Sequence, residues 1–442
     1  MSRIFGTDGI RGIANKELTP ELAFELGRSV AYVLASQYEE PVITIGKDTR
    51  ISGDMLEAAL AAGICSSGVD VYLLGVVPTP AIAYLTRHLK AHAGAVISAS
   101  HNKMEDNGIK FFNKYGYKLS DEIEDEISSF VLERKDELPR PTGKNVGRII
   151  LLDKGKDIYS SFLKKFFSDN LNGMKIVVDS ANGAASGVMH KLLKDLGAEV
   201  ISLSDEPNGT NINDDCGSTH MENLRDHVIQ YKADIGIAHD GDADRMLAVD
   251  ELGRLVDGDK IMAICSKYLK DKGKLTDNKL VGTVMSNLGL RKFCQEEGIE
   301  FIATNVGDRY VLEELQKNGG IIGGEQSGHV IFKEFNTTGD GPLTALFLLK
   351  VLKESGKKMS QLADMMKTYP QVLVNVKVKD KDKGMENKVF IDGVKEAEAL
   401  LGDRGRILVR PSGTEPLIRI MAEGEDIEEI EELVSKLARK LR

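Results

Sequence analysis

At 442 residues the chain is long enough for two to four domains, and 42% hydrophobic against 29% charged content is that of an ordinary soluble globular protein. A formal net charge of −10 and a pI near 5.5 argue against nucleic acid or an anionic membrane as the main partner. Any anionic substrate must therefore be drawn by a local basic cluster.

No apolar run approaches a membrane span, and the N-terminal Met1-Ser2-Arg3-Ile4-Phe5 lacks a signal-peptide core. Cys65, Cys216, Cys265 and Cys294 are scattered, which points to neither a zinc site nor a disulfide framework. The expected compartment is the cytoplasm.

In chain order, Gly6-Thr7-Asp8-Gly9-Ile10-Arg11-Gly12 comes first, a loop whose amides can approach an anion with Arg11 as a clamp. A plain glycine-rich turn is the alternative. Thr19 followed by Pro20 predicts a capped helix over 19–37. A strand over 42–45, a polar strand end at Lys47-Asp48-Thr49-Arg50, a helix from about 52, a strand over 71–74 and a helix entered through Pro78 follow. Alternating strands and helices predict a mostly parallel sheet.

The apolar run Ala95–Ile97 then stops at Ser98-Ala99-Ser100-His101-Asn102, and Asn107-Gly108 reads as a turn into a strand carrying Lys110. An α/β sheet binds ligands at such strand ends. Serine needs activation, or prior esterification, to transfer a group.

An acidic helix from Ser120 and the linker 138–143 close the first unit. A helix near 153–168 and a strand over 174–179 restart the pattern. A third round begins after Gly253 with a helix from Asp259, a strand over 280–284 and a helix after Asn287. The last 75 residues read as a small α+β domain. Its closing helix places Ile427, Ile430, Leu433, Val434 and Leu437 on one face.

The strongest motif is His239-Asp240-Gly241-Asp242-Ala243-Asp244-Arg245. Three carboxylates at alternate positions, bare at about 4 Å, repel by roughly 4 kcal/mol per pair at an effective dielectric near 20. Burying them together calls for a cation, and oxygen-only ligands suit Mg²⁺. An EF-hand is excluded because Arg245 stands at the turn glycine and a strand precedes the loop. Further on, Glu325, Ser327 and His329 in a glycine-rich loop suit sugar hydroxyls, and His329 can handle a proton. Arg410, Ser412, Gly413 and Thr414 suit a phosphate, with an ordinary turn set by Pro411 and Pro416 as the competing reading.

These five stretches, in this order along the whole chain, resemble the α-D-phosphohexomutase superfamily, and Gln326 resembles its glucosamine branch. Two positions depart from the family pattern. Lys103 stands where proline is usual, and Ala243 replaces a glycine, so a positive φ at Ala243 would be strained.

The resemblance implies an α/β fold in a four-domain heart-shaped architecture: three mixed or parallel α/β domains (1–150, 151–252, 253–368) and a smaller C-terminal α+β domain (369–442) around a central cleft. It makes Ser100 the phosphoserine, and Asp240, Asp242 and Asp244 the Mg²⁺ ligands together with a phosphate oxygen on Ser100. Glu325 and Ser327 become sugar readers, and Arg410, Ser412, Gly413 and Thr414 the phosphate grip. Arg11, His101, Lys110, Arg245 and His329 line the cleft, with Lys110 and His329 the candidates for proton transfer.

The implied reaction converts glucosamine 6-phosphate to glucosamine 1-phosphate through glucosamine 1,6-bisphosphate. The implied partner is thus a small phosphosugar, and a homodimer is compatible with this. A mannose or glucose phosphomutase is the nearest alternative. A Mg²⁺ phosphatase and a non-catalytic phosphosugar binder are the others.

Overall fold

The computed structural model describes residues 4–6, 8–132, 138–167, 170–412 and 416–441. Its first helix begins as its sequence requires: Thr19 Oγ1 accepts the Leu22 amide at 3.3 Å and Pro20 opens the helix Pro20–Val30. One π-helical turn, Ala31–Ala35, extends it. The strands Val42–Lys47, Asp70–Val76 and Ala93–Ile97 pair in parallel, joined by the helices Ser52–Ser66 and Thr79–His88.

The sheet is mixed rather than mostly parallel, because Asp106–Asn113 runs antiparallel beside Ala93–Ile97 and pairs with Ile10–Ile13 on its other side. Asn107-Gly108 is not the expected turn; both residues lie inside that strand. Gly108 is there for contact: a Cβ would come within 2.5 Å of the Ser98 carbonyl. Residues 98–105 make the reversal instead, and so carry the Ser100 loop.

The second sheet orders Lys175–Asp179 between Glu199–Leu203 and Ile235–His239, all parallel, with Met246–Asp250 and Leu255–Val256 added antiparallel. The third places Lys279–Thr283 between Glu300–Thr304 and Ile322–Gly324, with Val330–Phe332 antiparallel at the edge. One continuous apolar core reaches through all three units, from Ile82 and Phe112 through Tyr159 and Ile237 to Leu346.

The C-terminal unit stands apart. Leu417–Gly424 lies between Gln371–Lys377 and Gly405–Pro411, antiparallel to both. Its separate core gathers Phe390, Ile418, Ile420, Val434 and Leu437. On the closing helix Ile430, Leu433, Val434 and Leu437 are buried, while Ile427, expected with them, is exposed at the first helical position.

This unit meets the third through polar contacts. Asn287 and Tyr369 exchange two hydrogen bonds of 2.9 and 3.0 Å. Arg406 pairs with buried Glu423 and donates to the carbonyls of Val284 and Ser286 at 2.9 and 2.7 Å. No helix of the described residues is long and apolar enough to cross a membrane.

Candidate active site

The strand Ala93–Ile97 and the strand Ile235–His239 end at the same place, and their following loops face each other across the boundary between the first two units. Ser100 is buried and its Oγ donates to Asp240 Oδ2 at 2.6 Å. Asp240, Asp242 and Asp244 each offer an oxygen within 4.8 Å of the others, and all three are buried. Asp242 Oδ2 accepts from Thr79 Oγ1 at 2.8 Å. Its Oδ1 and that of Asp244 have no hydrogen-bond partner.

Burial and the two neighbouring carboxylates push the Asp240 carboxyl well above its usual range. Oxygen-only donors, orphaned buried oxygens and the mutual repulsion felt at Asp240 together fit a hard divalent cation. Ala243 adopts φ +56°, the strained conformation expected from its replacing glycine.

A circuit of alternating charge runs from Asp242 round to Asp244 and returns through the aspartate loop. Lys110 Nζ lies 3.3 Å from Asp242 Oδ2 and 2.9 Å from Asp8 Oδ2. Asp8 Oδ1 meets Lys118 Nζ at 2.6 Å, and Lys118 pairs with Asp308 of the third unit. Asp308 Oδ2 is 3.6 Å from His329 Nε2, and His329 Nδ1 is 3.5 Å from Asp244 Oδ2.

Burial works against the charged form of Lys110, but Asp242, Asp8 and Asp244 more than offset it and hold the ammonium well above the ordinary lysine range. Lys110 thus has the surroundings of a standing cation. Burial likewise opposes the Asp8 carboxylate, yet Lys110, Lys118 and Arg11 keep it well below the usual carboxylate value.

Two histidines stand near the triplet, His329 within this circuit and His101 beside Ser100. Burial, Arg245 and Arg11 lower His101, whose Nδ1 is 3.3 Å from Ser100 Oγ. Burial would lower His329 too, but Asp244, Asp308 and Glu325 raise it. The Gly339 amide donates to His329 Nε2 at 3.0 Å, which places the ring's first proton on Nδ1, facing Asp244. Arg11 pairs with Asp8, and Arg245 Nε lies 3.8 Å from Asp244 Oδ1.

A cleft of about 520 Å³ opens over these groups, lined among others by Arg11, His101, Arg245, Glu325 and His329. Glu325 Oε1 accepts the Gly307 amide at 2.9 Å, and Ser327 Oγ lies 3.4 Å from Glu325 Oε2. The Gln326 side-chain amide donates to Oδ2 of Asp257, the N-cap of helix Gly258–Asp271, at 3.2 Å and so anchors the loop that carries Glu325 and Ser327 to that helix.

Arg410 and Ser412 are not among the lining residues. Arg410 lies directly opposite Arg419 across the C-terminal sheet. Gly413 and Thr414 lie outside the described residues. The sequence reading missed Asp48, Arg50, Thr79, Lys118, Asn213 and Asp308. Asp48 and Arg50 had a signal in the polar strand end 47–50; the others had none in their neighbours.

Four family profiles match the chain in order: phosphoglucomutase/phosphomannomutase alpha/beta/alpha domain I over residues 2–137, domain II over 157–253, domain III over 257–369 and the C-terminal domain over 373–440. The phosphoglucosamine mutase of Desulforamulus reducens is 58% identical over 438 residues, 99% of each chain. That of Carboxydothermus hydrogenoformans is 59% identical over 437 residues, 99% of this chain and 98% of its own.

Among solved structures, a phosphoglucomutase/phosphomannomutase family protein from Burkholderia thailandensis superposes with a TM-score of 0.85 at 25% identity, covering 99% of this chain and 96% of its own. The Aspergillus fumigatus N-acetylphosphoglucosamine mutase, solved with GlcNAc-6P and magnesium, shares the fold with a TM-score of 0.70 at 16% identity, over 100% of this chain and 96% of its own. On its full-length domain matches the chain belongs to the phosphoglucomutase/phosphomannomutase family, and on its full-length relatives to the phosphoglucosamine mutases within it.

Proposed function

We propose that this chain interconverts glucosamine 6-phosphate and glucosamine 1-phosphate through a phosphorylated Ser100. The observation that carries the proposal is a buried Ser100 Oγ 2.6 Å from Asp240 Oδ2, beside two carboxylate oxygens without partners. A serine so placed stands beside a candidate cation site.

The chemistry follows from positioning and charge neutralisation. O1 of glucosamine 6-phosphate bonds to phosphorus of phospho-Ser100 as the bond from Ser100 Oγ to phosphorus breaks. O1 gives up its proton to a base in the cleft, for which His329 is the candidate, and Oγ takes up a proton to become a hydroxyl again. His101, 3.3 Å from Oγ, is the group placed to hold a proton there. Lys110 and Arg245 offset negative charge on the group in transfer. The resulting 1,6-bisphosphate turns around, and Ser100 takes the phosphoryl group back from O6.

Asp240, Asp242 and Asp244 would hold Mg²⁺, which when bound supplies Lewis-acid neutralisation of phosphoryl charge. Glu325 and Ser327 read sugar hydroxyls. Arg410 and Ser412, with Gly413 and Thr414, grip the phosphate that does not react. Cytoplasmic residence belongs to the same proposal, and four free, buried cysteines fit it.

Turnover of glucosamine, mannose and glucose 6-phosphates, with Mg²⁺ and the matching bisphosphate, tests the assignment. Glucosamine 6-phosphate should give the highest kcat/KM, and Ser100→Ala should lower its kcat by at least about 10³-fold. A preference for either other sugar, or an active Ser100→Ala, contradicts it.

A further inference from the structure

Behind the cleft, the loop that carries Ser100 is gripped by groups that touch neither its Oγ nor the cavity. Ser100 has φ +53°, a conformation that serine keeps only where its surroundings impose it. Its amide donates to Ser98 Oγ at 2.9 Å, and Ser98 Oγ donates to Asp48 Oδ2 at 2.5 Å. Asp48 in turn fixes the Arg50 guanidinium in a fully buried ion pair. Arg50 Nη2 then donates to the carbonyls of Ser100 and Asn102, at 3.2 and 2.6 Å.

From the second unit, Asn213 Nδ2 donates to the same two carbonyls, each at 2.9 Å. Gly241 of the aspartate loop completes the cradle: a Cβ there would stand 2.6 Å from the Ser100 carbonyl. Each carbonyl therefore receives one hydrogen bond from each of two units.

Granted the mutase reaction proposed above, we infer that Arg50 and Asn213 are positioning residues for phosphoryl transfer, holding the Ser100 backbone fixed while Oγ gains and loses its phosphoryl group. The need for such a hold follows from the chemistry. The hydrogen bond from Oγ to Asp240 exists only while Oγ carries a proton, and it vanishes when Oγ is esterified. A loop held by that contact alone would shift between half-reactions, and in-line transfer does not tolerate the shift. Carbonyl oxygens are untouched by either state of Oγ, so a grip on them serves both. Asp48 neutralises Arg50, so the grip adds no net charge beneath the phosphoserine.

Asn213→Asp is the sharper variant: it is isosteric, suits the left-handed φ of +57° at that position, and replaces the donor with an acceptor. Arg50→Lys keeps the charge but loses the fork. Each is assayed for kcat and KM with glucosamine 6-phosphate and added bisphosphate, for melting temperature, and for amide hydrogen exchange across residues 98–102.

Both variants should lower kcat by roughly 10- to 100-fold, leave KM within about two-fold because the substrate-binding groups are elsewhere, and speed exchange at the Ser100 amide. Unchanged kcat with unchanged exchange overturns the inference. So does a parallel collapse of kcat, KM and melting temperature in Asn213→Asp, which would mark a folding role. If Arg50→Lys fails to fold, Asn213→Asp alone decides. A wild type inert toward all three sugar phosphates would sink the functional reading, and exchange would still decide whether the grip exists.

Discussion

Ala243 shows two residue-scale effects opposing each other in one side chain. Its φ of +56° is a conformation that costs an L-residue roughly 1–2 kcal/mol. Its methyl group is fully buried in the main core, and burying one such group contributes about 0.8 kcal/mol. Ala243→Gly removes both terms. Denaturant unfolding should therefore show a change below about 1 kcal/mol in either direction, with the Mg²⁺ dependence of activity unaltered. A loss of several kcal/mol, or a shifted metal requirement, would mean that the methyl group shapes the aspartate loop itself.

At the scale of elements, the helix Gly258–Asp271 carries an unusual first turn. Asp257 caps it, accepting the Lys260 amide at 3.1 Å. Asp259 is fully buried two residues later, with Oδ2 on the Asn287 amide at 2.7 Å and Oδ1 unpartnered. Burial, then Asp257, and to a lesser extent Glu423, push the Asp259 carboxyl up to about 8. Arg291 and Arg406 also face this junction, and Arg406 is engaged by Glu423.

A folded value above the ordinary 3.8 means that the folded state holds the proton more tightly. Stability tied to Asp259 is full below the ordinary value and is lost as pH rises toward the folded one, by roughly 1.4 kcal/mol per pH unit. Asp259→Asn does not titrate and can still accept from Asn287. Its melting temperature should exceed the wild type's at about pH 8.5, with an advantage that shrinks toward about pH 5. A pH-independent difference would show that Asp259 keeps an ordinary carboxyl.

The same elements show what a sequence makes legible. Thr19, Pro20 and the periodic apolar residues after them specify a helix through contacts within a few residues, and that helix was readable. So was the aspartate loop, because its carboxylates sit at alternate positions of one short segment. Asn107-Gly108 misled because glycine serves both turns and close backbone approach, and only the Ser98 carbonyl across the sheet distinguishes them. Ile427 has the right spacing, but helix ends fray out of the core. Lys118 and Asp308 are 190 residues apart, so their pairing across two units leaves no local trace. The order of the five motifs carried the site; the circuit that ties them together needed the fold.

At the scale of the whole molecule, the C-terminal unit has its own core and meets the third where Arg406 donates to the Val284 and Ser286 carbonyls and Glu423 accepts the Leu288 amide, an attachment through which it could act as a lid. Both orientations of the bisphosphate leave one phosphate unreacted, so a single grip at Arg410 and Ser412 can serve both half-reactions. A charge-assisted contact there contributes about 1.5–3 kcal/mol, one to two orders of magnitude in escape rate. Arg410→Ala should raise KM and lose activity during turnover, as bisphosphate escapes and leaves unphosphorylated Ser100 behind. Added glucosamine 1,6-bisphosphate should restore part of it. Steady turnover without released bisphosphate would remove the grip from this loop.

In the proposed reaction Ser100 passes its phosphoryl group to the sugar and not to water. Enzyme labelled on Ser100 by isotopic bisphosphate, freed of excess label and mixed with unlabelled glucosamine 6-phosphate in Mg²⁺, tests it in one turnover. Label should appear first in the sugar bisphosphate and then at C1 of glucosamine 1-phosphate, with no label taken up by Ser100→Ala. Label released as inorganic phosphate, or retained on the protein while product forms, would contradict it.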